Sequence, residues 1–354
     1  MRKNTTLKKL INWEHWPSYM FYIPNLPYAF YLAIKAKHLS FYTATNPCIK
    51  NSGIGTESKF ETTMLIPEKY RPKTILIKPN TEYNKIITAI NKQQIQFPLI
   101  AKPDIGFRGL LVQKVHTETE LQTYFKKYGM IAIIIQEFLN YENECGVLYF
   151  RYPENKTGNI TSLTLKKFLA VTGDGKSTLK ELILNDERAK LYIELFTEIH
   201  QNKLNTVPYK DKVVKLTAIG NHSKGTQFIN GNHLISKTLI KTFDTLNKKI
   251  PGWYYGRIDL KYNSFSSLEN GTDFKIIEIN GILAEPTHIY DAKKFTYFQA
   301  LKTIRTHWKS IYKIATVNNK KLNIPYKNTK HFSVEILQLK KHLSHIKKHL
   351  KVYL

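Results

Sequence analysis

Cysteine is almost missing from this chain. Of 354 residues only Cys48 and Cys145 carry a thiol, and no metal-site spacing links them. That argues against a disulfide scaffold and for a reducing compartment. Long apolar runs are missing too. The densest stretch, Trp13 to Ile34, is interrupted by Pro17, Pro24 and Pro27, so it falls short of the roughly 20 apolar residues a spanning helix needs. It also has neither the clean apolar centre nor the small-residue cleavage site of a signal peptide. Acidic residues are scarce: 27 Asp and Glu stand against 54 Lys and Arg, a net charge of +27. Such an excess draws polyanions, whether nucleic acid, anionic lipid or phosphorylated substrates. The lysines are spread along the chain and no nucleic-acid-binding module is recognisable, which argues against nucleic acid as a partner.

What is present is a globular composition, 42% hydrophobic and 12% aromatic with 16 glycines, long enough for two or three packed units. Residues 1–57 form an aromatic segment in which Trp13, Trp16, Tyr19, Phe21, Tyr28 and Phe30 are flanked by Lys8, Lys9, Lys35 and Lys37. Rings beside lysines suit a membrane headgroup boundary, and they equally suit a segment packed on the main body. Residues 317–354 form a basic tail in which Leu339, Leu343, Ile346 and Leu350 recur at helical spacing. That pattern reads as a helix on a membrane surface, on a partner or on the body itself.

Between them the pattern becomes regular from Thr74. A strand over Thr74 to Ile77, a helix over Glu82 to Lys92 and a strand over Phe97 to Pro103 are expected. The glycine turn Asp104 to Gly109 follows, then a strand over Leu110 to Val112, a helix over Thr119 to Tyr128 and an apolar strand over Met130 to Ile135. Gly106 and Gly109 allow the backbone to approach a ligand and aim its N–H groups at it. With Lys102 and Arg108 they make a phosphate cradle.

The segment Phe274 to Gly281 carries the polar residues of most interest. Ile276 to Ile279 suit a strand, and residues two apart on a strand share a face, so Glu278 and Asn280 project together. Tyr254 to Leu260 reads as the partner strand of a long-looped hairpin, which brings Asp259 and Arg257 beside them. A buried carboxylate needs a positive partner, and Mg²⁺ takes oxygen ligands while keeping substrate phosphates in its shell.

In this order (strand ending in Lys102, glycine turn, strand, helix, Gln136-Glu137-Phe138-Leu139 with Glu144, Gly-Arg257-Ile-Asp259, Ile-Glu278-Ile-Asn280-Gly) the motifs resemble the ATP-grasp enzymes over residues 58–315. The similarity is to the carboxylate–amine ligases, namely D-alanine–D-alanine ligases, ribosomal-protein glutamate ligases and cyanophycin synthetase. The resemblance implies an α+β fold in which two α+β subdomains clasp the nucleotide over residues 58–316. It further implies ATP with two Mg²⁺ ions, and a ligation through an acylphosphate. Lys59, Lys102 and one of Lys166 and Lys167 would touch phosphate, with the turn from Gly106 to Gly109 folded over it. Gln136, Glu137, Phe138 and Leu139 would read adenine, and Glu144 would hold the ribose. Asp259, Glu278 and Asn280 would bind metal, and Arg257 would act on the transferring phosphoryl group.

The middle of the chain adds Val171 to Leu182, similar to the TGDG segment of cyanophycin synthetase, where Ser177 or Thr178 can cap a helix. The loop Gly220 to Thr226 resembles an Asn-x-His-x-Gly-Gly loop of the glutamate ligases. It assigns His222 and Lys224 to phosphates and acceptor, but Lys224 stands where that family has Arg. After Asn280, Glu285, His288 and Asp291 depart from the D-alanine ligase pattern. They argue against D-alanyl-D-alanine as product and offer carboxylates to an amine acceptor. The expected protein is a cytoplasmic ligase, with peripheral attachment to the inner membrane face and lipid-linked substrates within its range. A hydroxyl-phosphorylating ATP-grasp kinase and a membrane-peripheral nucleotide binder without ligase activity are the alternatives.

Overall fold

A computed structural model describes residues 12–106, 109, 111–217 and 220–352. Of the positions singled out above, Lys8, Lys9, Arg108 and Leu110 lie outside the described residues.

The first sheet is formed by β1 (Thr74–Ile77), β2 (Leu99–Pro103), β3 (Gln113–Val115) and β4 (Ile133–Glu137), in spatial order β1-β4-β2-β3 with every pairing antiparallel. The helices Tyr83–Lys92 and Glu118–Tyr128 cover it, packing Ile86, Ile90, Leu121 and Tyr124 on Leu99, Ile133 and Ile135. The strand expected at Leu110 to Val112 begins three residues later. Leu111 takes the left-handed backbone conformation (φ 56°) and its carbonyl accepts from the Tyr124 hydroxyl. A strand cannot pass through that conformation.

The second sheet opens with β5 (Asn143–Phe150) and β6 (Asn159–Lys167); β7 (Ala170–Thr172) and β8 (Val213–Lys215) form a separate ribbon; β9 (Gln227–Asn230), β10 (Tyr255–Tyr262) and β11 (Phe274–Ile279) complete the sheet in the order β11-β10-β5-β6-β9. Side-chain alternation divides it sharply. Cys145, Val147, Tyr149, Leu163, Ile258, Leu260 and Ile276 point into a core closed by the helix Lys237–Asn247 and Trp253. Glu144, Gly146, Lys166, Arg257, Asp259 and Lys261 fall on the opposite face.

The N-terminal segment is packed on the body. Phe21 is fully buried among Phe228, Ile289, Tyr290, Ala300 and Ile304, and Asn46 bonds both the N–H groups of Tyr254 and Tyr255 and the Tyr255 carbonyl. The helix Tyr297–Leu322 receives much of it, and runs without a break through residue 316, where a boundary was expected. The helix Thr329–Val352 is tied back through Glu335, which pairs with Lys327 and accepts from Asn51.

Candidate functional site

The site is built where the polar face of the second sheet meets the lysine-bearing strand of the first. Asp259 and Glu278 are register partners on β10 and β11, and an irregularity follows at Leu260, which pairs with Ile276. Ile277 is thereby an extra residue in its strand. A bulge of this kind re-aims side chains, and here it lies between the apolar Ile276 and the carboxylate of Glu278. One step on, the Asn280 N–H bonds the Arg257 carbonyl while its side-chain amide donates to Asp259 Oδ2 at 3.1 Å. Asp259, Glu278 and Asn280 are thus brought together.

Cations surround them. Arg257 donates to Asp259 through Nη2 at 2.8 Å, and Lys166 Nζ lies 2.9 Å from Asp259 Oδ1 and 2.8 Å from Glu144 Oε1. Lys166 reaches Asp259 across β5 because the intervening register position is Gly146. A Cβ there would come within 3.1 Å of both Arg257 Cδ and Asp259 Oδ1. Strand alternation also separates the lysine pair: Lys166 joins the cluster, whereas Lys167 is exposed.

Lys59 Nζ meets Glu278 Oε1 at 3.1 Å from the first turn of the helix Lys59–Met64. Asp104 fixes that helix by accepting from the Ser58 hydroxyl (2.9 Å) and the Phe60 N–H (2.8 Å). The glycine turn and the Lys59 helix are therefore one assembly. From β2, Lys102 is buried with its ammonium 3.1 Å from Gln136 Oε1, and Gln136 in turn donates to Thr74.

The electrostatics follow from burial and partners. Burial pushes the Lys102 ammonium down to about 8, against a raising influence from Glu278. Burial opposes ionisation of Asp259 and Glu278, yet Arg257 and Lys166 hold Asp259 far below the carboxylate range, and Lys59 and Lys102 hold Glu278 down as well. Burial likewise works against charge on Lys166, but Asp259 and Glu144 outweigh it and raise its pKa. The cations Lys59, Lys102, Lys166 and Arg257 are interleaved with the carboxylates of Glu144, Asp259 and Glu278, and Glu57, Asp104 and Glu285 also act on them, so cationic donors and hard oxygen ligands stand side by side.

The stretch after β4 adds an aromatic platform. The Phe138 ring has Lys114 Nζ at 3.8 Å and Lys261 Nζ at 5.5 Å from its centre. Lys261 also donates to the Leu139 and Tyr141 carbonyls, and Glu137 accepts from the Lys73 N–H. The Gly106 and Gly109 turn is reached from the other side by Lys224, whose ammonium lies 3.4 Å from the Gly109 carbonyl.

The remaining expected residues divide. Glu285 accepts from the Tyr22 and Tyr290 hydroxyls, and its carbonyl lies 3.4 Å from Arg257 Nη1, at the edge of the cluster. His222 pairs with Glu14, itself bonded to Arg188. His288 and Asp291 do not join them. His288 is buried with Nδ1 2.6 Å from Ser162 Oγ, and burial lowers it to about 4, so it serves as a core residue. Asp291 is buried and its carboxylate holds the Asn230 N–H at 2.9 Å, leaving it engaged with β9 instead of an acceptor.

Sequence reasoning missed Gly146, Asp104, Lys261, Glu14 and Tyr22. Only Gly146, an isolated glycine inside a strand pattern, gave a signal of close approach. A second such approach closes the site, where Gly53 (φ 82°) lies against Gly281 and the N–H groups of Ile282 and Leu283 bond the Ser52 and Gly53 carbonyls.

No protein-family model and no curated protein matches the chain. Among solved structures it is similar to the VanG D-Ala:D-Ser ligase from Enterococcus faecalis (11% identity, TM-score 0.42), with 73% of this chain covering 64% of that one. It is similar to a D-alanine–D-alanine ligase from Bacillus anthracis (13%, 0.41, 73% over 69%) and to a bifunctional glutathione synthetase from Pasteurella multocida (15%, 0.36, 70% over 35%). The chain thus spans less than two thirds of VanG and about a third of the glutathione synthetase. At TM-scores below 0.5 these likenesses carry no argument about chemistry, which rests on the side chains themselves.

Proposed function

We propose that this protein is an ATP-grasp ligase that joins a carboxylate to an amine through an acylphosphate. One observation carries the reading: buried Lys102 and half-buried Lys59, Lys166 and Arg257 converge on the Asp259–Glu278–Asn280 group. Phosphate oxygens need cations and Mg²⁺ needs hard oxygen ligands, and a nucleoside triphosphate carrying Mg²⁺ uses both.

The donor set fits Mg²⁺, since two carboxylates and an amide oxygen are hard ligands, and such an ion takes one or two carboxylates together with substrate phosphates. Among the described residues no group of three or more His, Cys, Asp or Glu side chains is placed to hold a metal alone. When bound, Mg²⁺ would neutralise phosphate charge.

The chain's own residues do the rest. Lys59, Lys102 and Lys166 hold phosphate oxygens, while Phe138 and the Gln136 to Leu139 backbone hold the base. Carboxylate oxygen attacks the terminal phosphorus and ADP departs; the lysines and Arg257 offset charge spread over the loose transition state. The amine then attacks the acyl carbon, its proton passes to solvent, phosphate leaves and an amide remains. Arg257, beside Glu285, is placed to hold the oxyanion of that second step, and Glu285 to orient the amine.

The substrates are small-molecule carboxylates and amines, lipid-linked ones included. The working place is the cytoplasm, peripheral to an anionic membrane face. Phosphate release with amide formation, screened over amino acids, dipeptides and lipid acids, tests the reading. Glu278→Gln is expected to lower ATP turnover more than 100-fold with an unchanged circular dichroism spectrum. Full turnover in that variant, or a stable phosphomonoester product, contradicts it.

A further inference from the structure

The N-terminal segment has two sides. Its inner side packs Phe21 and Leu32 and delivers the Tyr22 hydroxyl to Glu285. Its outer side exposes Tyr19, Ile23, Leu26, Phe30 and Ile34, the last two at 60% and 77% of their full area. Their spacing of four, three, four and four residues puts them in one stripe, running along the helices Tyr19–Tyr22 and Leu26–Ala36 and the 3-10 turn that joins them. Single exposed apolar residues need no explanation, but a contiguous stripe marks an interaction site.

The charge beside that stripe has one sign. The helix Tyr297–Leu322 lies against the segment: Arg305 Nε bonds Asn25 at 2.6 Å, Tyr22 stacks on Trp308 and Lys35 sits over the Tyr312 ring. Lys302, Arg305, Lys309 and Lys313 are exposed along it, one turn apart, and Lys35 and Lys37 are exposed at the end of the stripe. No acidic residue occurs from His15 to Thr56, nor from Ala292 to Val334. The two elements that make this face are therefore both free of carboxylates.

We infer that this face docks on an anionic lipid bilayer, with the apolar stripe in the headgroup boundary and the lysine row against lipid phosphates. This names the surface for the peripheral position proposed above, and it stands apart from the ATP chemistry. Aromatic and aliphatic residues flanked by cations lie in the plane of a membrane interface, and a basic row supplies the second signal that a short apolar stripe needs for stable attachment. Among the described residues no helix is long and apolar enough to span the bilayer. A second copy of the chain is the wrong occupant, because two rows of like charge would oppose one another. Tyr22, on the inner side of this segment, touches Glu285, so a docked bilayer would lie about one helix diameter, ~10 Å, from the candidate site.

Co-sedimentation with phosphatidylglycerol-containing vesicles tests the inference, with pure phosphatidylcholine vesicles and the wild-type full chain as controls. The wild type is expected to pellet with the anionic vesicles and to be released by salt. The double variants Phe30→Glu/Ile34→Glu and Lys309→Glu/Lys313→Glu are each expected to lose at least 10-fold in partitioning while keeping the wild-type melting temperature and ATP turnover. Wild type remaining in the supernatant, or variants pelleting like wild type, overturns it. So does a dimer seen by light scattering that the Phe30→Glu/Ile34→Glu variant abolishes and anionic vesicles leave intact.

Discussion

Lys102 shows how one buried side chain reports on the whole site. Its ammonium bonds the Gln136 amide oxygen with Glu278 and Asp104 nearby, and burial lowers its pKa from 10.5 to about 8. Because the folded value lies below the unfolded one, the unfolded chain binds more protons between those two pH values. Stability of the free protein therefore rises with pH across that window, and the rise disappears in Lys102→Met. A phosphate against the ammonium favours the charged form. At about pH 9, ATP binding is expected to take up a large fraction of one proton per chain, read by calorimetry in buffers of different ionisation enthalpy. No uptake, or equal uptake by Lys102→Met, counts against phosphate contact at Lys102. At this scale the sequence was informative where alternation governs. Asp259 and Arg257 were legible because strand period fixes a face, whereas Glu278 joins them only through the bulge at Ile277, which alternation from the core residue Ile276 does not give. His288 and Asp291 were not legible, since nothing local tells a buried partner such as Ser162 from a ligand.

Elements were legible where hydrophobic periodicity is strong. The β10–β11 hairpin, the helices over the first sheet and the Thr178 cap, with its reciprocal Glu181 bond, match the pattern. The misplaced strand at Leu110 to Val112 has a specific cause: a β-prone run was bent into a left-handed turn by tertiary contact with Tyr124. Contacts between distant segments were illegible for a similar reason. The Ser52–Gly53 strap lies against Gly281 with no room for a side chain, as a Cβ on Gly281 would come 2.0 Å from the Ser52 carbonyl oxygen and 2.6 Å from Gly53 Cα. Backbone cannot yield as a flexible side chain does. Gly281→Ala is expected to destabilise the protein by about 2 kcal/mol or more and to raise the KM for Mg-ATP by displacing Asn280. Chemical denaturation and steady-state kinetics check this; a variant as stable and active as wild type would show that the strap is not fixed there.

For the whole molecule, the first segment was the least readable part. Its aromatic residues fit a packed element and a membrane-facing one equally, and the structure assigns them to both: Phe21 to the core, Phe30 and Ile34 to the exterior. Composition cannot make that division, because it depends on which side of a helix meets Tyr297–Leu322. The net charge of +27 likewise resolves only when mapped. Part is spent around the Asp259–Glu278 carboxylates and part lies along an acid-free face. In the former part the cations already neutralise Asp259 and Glu278 in the free protein, so metal is expected to bind only together with nucleotide. Mn²⁺ in place of Mg²⁺, followed by electron paramagnetic resonance with and without a non-hydrolysable ATP analogue, tests it most directly. Expected are no tight Mn²⁺ binding to the protein alone, a tight ternary complex with the analogue, and at least 10-fold weaker ternary binding in Glu278→Gln. Tight Mn²⁺ binding without nucleotide, or a ternary complex unaffected by Glu278→Gln, would contradict it.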